Sequence, residues 1–148
     1  MVREELFLIN QTLKKYCNNN GVQIIGDMPI YVGFESSDVW ENKNLFELNE
    51  NNRIKFQAGC PPCGYNKNGQ LWGNPVYNWK IHKKSNFKWW VSRFKKLYEM
   101  VDIVRLDHFI GFSRFWAIPG YRKTARFGKW EEGPGVDFFE EINKKIEN

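Results

Sequence analysis

Apolar residues at Leu6, Ile9, Leu13 and Tyr16/Cys17, with Lys and Glu between them, recur at the spacing of one helix face. This predicts a helix over residues 3–17. Asn18-Asn-Asn-Gly21 is a stop signal for it. Val22-Gln-Ile-Ile25 then reads as a buried strand that runs into a functional-looking turn, Gly26-Asp-Met-Pro29, before the apolar Ile30-Tyr-Val32. Residues 33–80 hold no sustained period and are rich in Asn, Gly and Pro. Within them Asn49-Glu-Asn-Asn52 reads as a hairpin tip between Leu45-Phe46 and Ile54-Phe56. So long an irregular stretch in a compact domain is uncommon and is usually functional. Residues 86–100 give the cleanest helix, with Phe87, Trp90, Val91, Phe94, Leu97 and Tyr98 on one face. A short apolar strand, Val101–Leu106, follows, and an amphipathic helix from about Val136 to Ile146 ends the pattern.

Helices alternating with apolar strands predict an α/β fold with a parallel sheet. Parallel strands covered on both faces read as continuous apolar runs, as these two do. In such sheets the chemistry collects at the C-terminal strand ends. Each strand carries an aspartate there: Asp27 on the first and Asp107 on the second. The second strand is the stranger one. In Val101-Asp-Ile-Val-Arg-Leu-Asp-His-Phe109, three titratable groups interrupt the strand within four residues. The local pattern leaves two readings of Asp107 open: a buried structural ion pair with Arg105, or a catalytic carboxylate. Asp27 is likewise either a turn-forming residue before Met28-Pro29 or a functional one.

The 148 residues suffice for one domain with a core, and no repeat or linker divides them. Seven Trp, twelve Phe and six Tyr are too many for a disordered chain and suit faces that stack on flat ligands such as sugars or bases. The net charge of +5 is modest, and the lysines are spread among acids, which reads as solvated helix faces rather than a nucleic-acid surface. No apolar run is long enough to span a membrane, and no secretory leader is visible, so a soluble, cytoplasmic protein is expected. Three cysteines make no disulfide framework. Cys60-Pro-Pro-Cys63 lies in a Gly/Pro/Asn loop rather than at a helix N-terminus, and reads as two incidental loop cysteines rather than a redox or zinc site. His82, in a Lys-rich stretch, is expected at the surface. Trp90 is expected in the core and Trp89 partly exposed; Trp40 and Trp116 are left open.

Four segments appear in order at suitable spacings: Gly26-Asp-Met-Pro-Ile-Tyr-Val32, Ser37-Asp-Val-Trp40, Gly69-Gln-Leu-Trp-Gly-Asn-Pro75 and Val104-Arg-Leu-Asp-His-Phe109, with Gly133-Pro-Gly135 after them. Together they resemble the amylomaltase family, the 4-α-glucanotransferases or disproportionating enzymes of the α-amylase clan. The resemblance runs from about Val22 to Phe139. It implies a partial (β/α)8 TIM barrel, comprising about the third and fourth βα units with a long loop-rich insertion, and a chain that forms one unit of a catalytic barrel over residues 1–148.

The resemblance further implies retaining transfer of an α-1,4-glucan segment to a new 4-hydroxyl, with Asp107 as nucleophile and Arg105 beside it. His108, Asp27, Trp72, Gly73 and Asn74 would bind substrate. Such chemistry uses a nucleophile and an acid/base carboxyl about 5–5.5 Å apart. An Arg two residues from Asp107 points to the same side of a strand. No metal or organic cofactor is implied. The expected partners are maltooligosaccharides and α-1,4-glucans, and the remainder of the barrel, with no nucleic acid and no membrane. The family's acid/base Glu and transition-state-stabilising Asp are expected beyond this chain, since Glu131, Glu132, Glu140 and Glu141 do not sit in the family's Glu motif. The alternative is a catalytically inactive glucan-binding remnant or a truncated product. A partial barrel exposes sheet edges and apolar surface, so the chain alone is expected to be of marginal stability. One local departure is that Cys63-Gly64 stands where the family has Asp followed by an aromatic or apolar residue, which puts the role of that loop in doubt.

Overall fold

In the computed structural model, which describes residues 2–146, the first periodic segment is helix α1 (Val2–Asn19). It ends as the Asn/Gly run predicts. Gly21 adopts φ +75°, the Val22 N–H donates to the Cys17 carbonyl at 2.9 Å and the Gly21 N–H to that of Asn18 at 3.0 Å. These are the two bonds of a Schellman cap, which needs a left-handed residue at that place.

Strand β1 (Ile25–Met28) starts later than expected: the presumed turn Gly26-Asp-Met is itself the strand. Residues 33–80 are more ordered than their composition announces. They contain α2 (Ser37–Glu41), β2 (Phe56–Cys60) and β3 (Gln70–Pro75) and run into α3 (Trp79–Lys84). The expected hairpin tip is present in local form, with Leu48 bridged to Ile54 and the Asn49 N–H on the Arg53 carbonyl at 2.8 Å. Next come α4 (Lys88–Tyr98), β4 (Ile103–Leu106), β5 (Arg114–Pro119), β6 (Lys129–Glu132) and α5 (Val136–Ile146).

Two sheets result. One is the parallel pair β1–β4; the other is antiparallel, in the order β3-β2-β5-β6. The second sheet was not anticipated. Its strands are short, and β2 carries Gly59 at a buried position. That glycine is a packing requirement, because a β-carbon there would collide with the Gln70 backbone carbonyl on β3, besides standing 2.7 Å from Ile118 Cδ1 on β5.

The parallel pair is tied down at its entrance. The Asp102 carboxylate accepts from the Ile24 N–H at 2.8 Å and from Asn18 Nδ2 at 2.9 Å. Lys14 Nζ lies 3.5 Å from the same carboxylate and donates to the carbonyls of Tyr98 and Val101, each at 2.8 Å. Helix α1, the end of α4 and both strands are thereby joined. The strands are less covered than continuous apolar runs imply: Ile25 is 63% and Ile103 41% exposed. On α1, Leu6, Ile9, Leu13 and Tyr16 are also exposed. Burial on both faces requires elements on both faces, and here one face of the pair faces solvent. No helix among the described residues is long and apolar enough to cross a membrane.

The core is aromatic. Trp90 of α4 is fully buried, with its ring centroid 5.3 Å from Phe138 of α5 and 5.4 Å from Phe112. Phe112 and Phe138 stack at 4.8 Å. The short helical turn Phe109–Phe112, which directly follows β4, is therefore anchored from below.

His82 is buried among the rings of Tyr77, Trp79 and Trp89, contrary to its expected surface position. Helix α3 turns Trp79 and His82, three residues apart, inward and leaves Lys80, Lys83 and Lys84 outside. His82 Nε2 lies 3.1 Å from the Leu45 carbonyl, whereas Nδ1 has no partner. Burial pushes its pKa down to about 4. The folded chain thus holds the neutral ring while the unfolded chain protonates near the ordinary value, so stability falls as the pH drops from about 6.5 to about 4. At pH 5 this loss should reach about 2 kcal/mol relative to pH 7. Near-UV circular dichroism of the aromatic core, followed against pH, checks it. His82→Gln should flatten the dependence across this window.

Candidate active site

Strands β1 and β4 pair in parallel with Gly26 opposite Val104, Asp27 opposite Arg105 and Met28 opposite Leu106. Gly26 permits close approach to Val101, in the segment between α4 and β4, since a β-carbon there would meet Val101 Cγ1 at 2.7 Å. Side chains alternate along a strand, so Arg105 and Asp107 leave from one side, and the register puts Asp27 beside them. The ladder runs one step past β4, where the Asp107 N–H donates to the Met28 carbonyl at 3.2 Å. All three side chains are exposed to solvent.

The ion pair at this strand end differs from the expected structural alternative. Arg105 gives its Nε–H to Asp27 Oδ1 and an NH2 hydrogen to Asp27 Oδ2 at 2.9 Å. Its contact with Asp107 is looser, with NH2 3.6 Å from Oδ1. Asp27 is therefore the forked partner of the guanidinium, and Asp107 keeps most of its carboxylate free of it. The Arg105 hydrogen bonds hold the Asp27 carboxyl below its usual value, and Asp27 raises Arg105 in turn.

His108 follows with φ 49° and ψ 48°, a left-handed conformation that a non-glycine residue adopts at a cost. This bend swings the imidazole away from the strand. The ring lies perpendicular to the Trp72 indole with centroids 4.8 Å apart. Burial lowers the His108 pKa, and the neighbouring Asp107 opposes that shift.

Trp72 comes from β3, on the antiparallel sheet, and its Nε1–H donates to Gln70 Oε1 at 3.0 Å. Gly73 sits at φ +75°, and Asn74 Nδ2 donates to the Val32 carbonyl at 2.9 Å, which fastens β3 to the segment after β1. Behind Trp72 lie two tyrosines that the sequence reading did not single out. Tyr31 is 6.1 Å from Trp72 and stacks on Tyr77 at 5.7 Å, and the Tyr77 hydroxyl donates to the Ile30 carbonyl at 2.5 Å. Burial raises the pKa of both phenols, so they form a neutral aromatic wall. The only signal for Tyr31 was its place in Gly26-Asp-Met-Pro-Ile-Tyr-Val32; Tyr77 carried none.

The structure thus brings together Asp27, Arg105, Asp107, His108 and Trp72, with Asn74 bracing the wall. Trp40, 77% exposed, stands apart, and Trp116 is committed to the Ala125 carbonyl at 2.8 Å. Cys60 ends β2, Cys63 is exposed, and both are free thiols; burial raises the Cys60 pKa. Among the described residues no group of three or more His, Cys, Asp and Glu side chains is placed to hold a metal ion. An accessible carboxylate, an adjacent fixed cation and an aromatic wall are suited to a polyhydroxyl ligand with a reactive carbon near Asp107.

Comparison with known proteins gives the family of the chain. The family model described as 4-alpha-glucanotransferase matches residues 5–148. The 4-alpha-glucanotransferase of Streptococcus pneumoniae is 45% identical over 134 residues, 90% of this chain and 26% of that protein. That of Clostridium butyricum is 45% identical over 143 residues, 96% of this chain and 29% of that protein. Among solved structures, amylomaltase from Streptococcus agalactiae in complex with acarbose superposes with a TM-score of 0.89 at 45% identity, over 94% of this chain and 28% of that one. The chain spans a little more than a quarter of the length of these relatives. On its sequence and its fold alike, the chain belongs to the 4-alpha-glucanotransferase family.

Proposed function

We propose that this chain supplies the nucleophile side of a 4-α-glucanotransferase, residues 1–148 being one part of a catalytic (β/α)8 barrel with β1 and β4 as about its third and fourth strands. The observation that carries the reading is the convergence of Asp27, Arg105 and Asp107 at one end of a parallel pair, facing Trp72 and His108. The acarbose held by the Streptococcus agalactiae amylomaltase supports an α-glucan as ligand.

In this mechanism the Asp107 carboxylate attacks the anomeric carbon of a bound glucan. The departing 4-oxygen takes a proton from an acid/base carboxyl contributed by the whole protein, leaving a glycosyl ester on Asp107. A 4-hydroxyl of a second sugar then attacks that carbon, returns its proton to the base, and frees Asp107 with net retention. Arg105, held by Asp27, fixes a positive charge near the carboxylate that must stay ionised. Trp72 offers a face or edge to a pyranose ring, and His108 a ring nitrogen to a hydroxyl. Gly73 and Asn74 shape the wall on which this contact depends. The remaining barrel elements would cover the exposed faces of α1, β1 and β4. The reading needs no metal or organic cofactor.

One observation favours a narrower role for the 148-residue chain by itself. Asp27, the other carboxylate at this strand end, is committed to Arg105, which keeps it ionised and without a proton to donate. The chain alone would then bind glucan without transferring it. Quenching of Trp fluorescence by maltooligosaccharides, with their length distribution unchanged, is the signature of that role.

Two outcomes are expected. With the remaining barrel segments supplied by fusion, maltotriose should give glucose together with longer chains, and Asp107→Asn should lower this by at least about a thousandfold. Chromatography of the products decides it; unchanged disproportionation by Asp107→Asn would remove the nucleophile assignment. Second, the Asp27 carboxyl should titrate below the ordinary carboxylate value, so the stabilisation from its ion pair persists above that range and disappears as the pH falls through the folded value. Arg105→Leu should return the midpoint to normal, as read from the side-chain carboxyl 13C shift.

A further inference from the structure

Gly111 is buried in the turn that follows β4, and its φ is not in the left-handed region, so its backbone does not require glycine. The space around it does. A β-carbon at this position would stand 2.6 Å from Ile30 Cδ1 and 3.0 Å from His108 Cδ2, both closer than side chains normally approach. The cause is the left-handed bend at His108. It folds the chain back so that the Gly111 N–H donates to the His108 carbonyl at 2.9 Å and position 111 faces the imidazole. The same imidazole also meets Trp72, with ring centroids 4.8 Å apart. Below, Phe112 is locked by Phe138 and Trp90, so the turn cannot drop away to make room.

We propose that Gly111 is a positioning residue that sets where the His108 ring lies between the 109–112 turn and Trp72. The absence of a side chain at 111 lets the imidazole sit back against the turn and leaves its sugar-facing edge at a fixed place. The sugar contact itself rests on the glucanotransferase reading; the position of the ring does not. An alanine has two walls to push, Ile30 and His108. Removing Cδ1 by Ile30→Val takes away the nearer one and leaves the imidazole as the remaining obstacle.

The chain has two histidines, so imidazole NMR of the 148-residue protein resolves His108 from the buried His82 directly. In the parent chain His108 ring protons should show nuclear Overhauser contacts to the Trp72 indole. In Gly111→Ala, and in Gly111→Ala with Ile30→Val, those contacts should weaken or vanish and the His108 ring shifts should change, while His82 stays as it was. A folded variant whose His108 shifts and Trp72 contacts match the parent overturns the proposal. Unfolding of both variants also overturns it, since position 111 would then serve the fold rather than the ring. Maltotriose added to the parent chain separates the two layers. If the Gly111 variants move His108 but maltotriose perturbs neither His108 nor Trp72, the positioning role stands and the glucan reading fails.

Discussion

The structure turns on the register of two short parallel strands. A shift of one residue between β1 and β4 would send Asp27 to the opposite face from Arg105 and dissolve the cluster. Four strand residues on each side are little to hold such a register. The added constraint is the polar knot at the strand entrance, where Asp102 takes the Ile24 N–H and Lys14 binds Asp102 together with the carbonyls that end α4. Lys14 and Asp102 are a partly buried, multiply hydrogen-bonded pair, unlike the lysine–carboxylate contacts on the surface, which contribute little. The register fixed at the entrance is read out at the exit, where Arg105 lies across from Asp27 and Asp107 comes one ladder step later.

The second determinant is the aromatic mass under the strand ends. Trp90, Phe112 and Phe138 pack at native aromatic separations and hold the turn after β4 from below. The Tyr77–Tyr31–Trp72 series reaches the same place from the antiparallel sheet. His108 lies where the two meet. Its left-handed backbone is sustained by this packing on both sides, as strained residues at functional positions generally are. The site is therefore rigid on its aromatic side and open to solvent on its carboxylate side, an asymmetry that suits a ligand stacked on a wall while its reactive carbon is reached by a charged group.

Much of this was legible in the chain. Helices α1, α4 and α5 followed from 3.6-residue periodicity, and β4 from a short apolar run. The strand-end placement of Asp27 and Asp107 followed from the α/β order, and the parallel pairing agrees with it. The antiparallel sheet was hidden because its strands rely on Gly59, Ala58 and Ala117, residues whose small size is a packing requirement and carries no strand signature. His82 was misplaced because its lysine neighbours dominate the local composition, while its inward direction is set by Trp79 one turn away. The partner of Arg105 was also out of reach. Asp107 is nearer in sequence, but parallel register brings Asp27, 78 residues away, within forked hydrogen-bonding distance. Long-range pairing of this kind is a tertiary fact, and the four motifs in order were its only trace.

The central claim is that the β1–β4 strand ends and the Trp72 wall form one glucan site. A crystal structure of the chain grown with maltoheptaose tests it most directly. The account predicts sugar rings seated over the ends of β1 and β4, in contact with Trp72 and His108, with one anomeric carbon facing the Asp107 carboxylate. Sugar bound elsewhere, with the strand ends empty at saturating ligand, would contradict it.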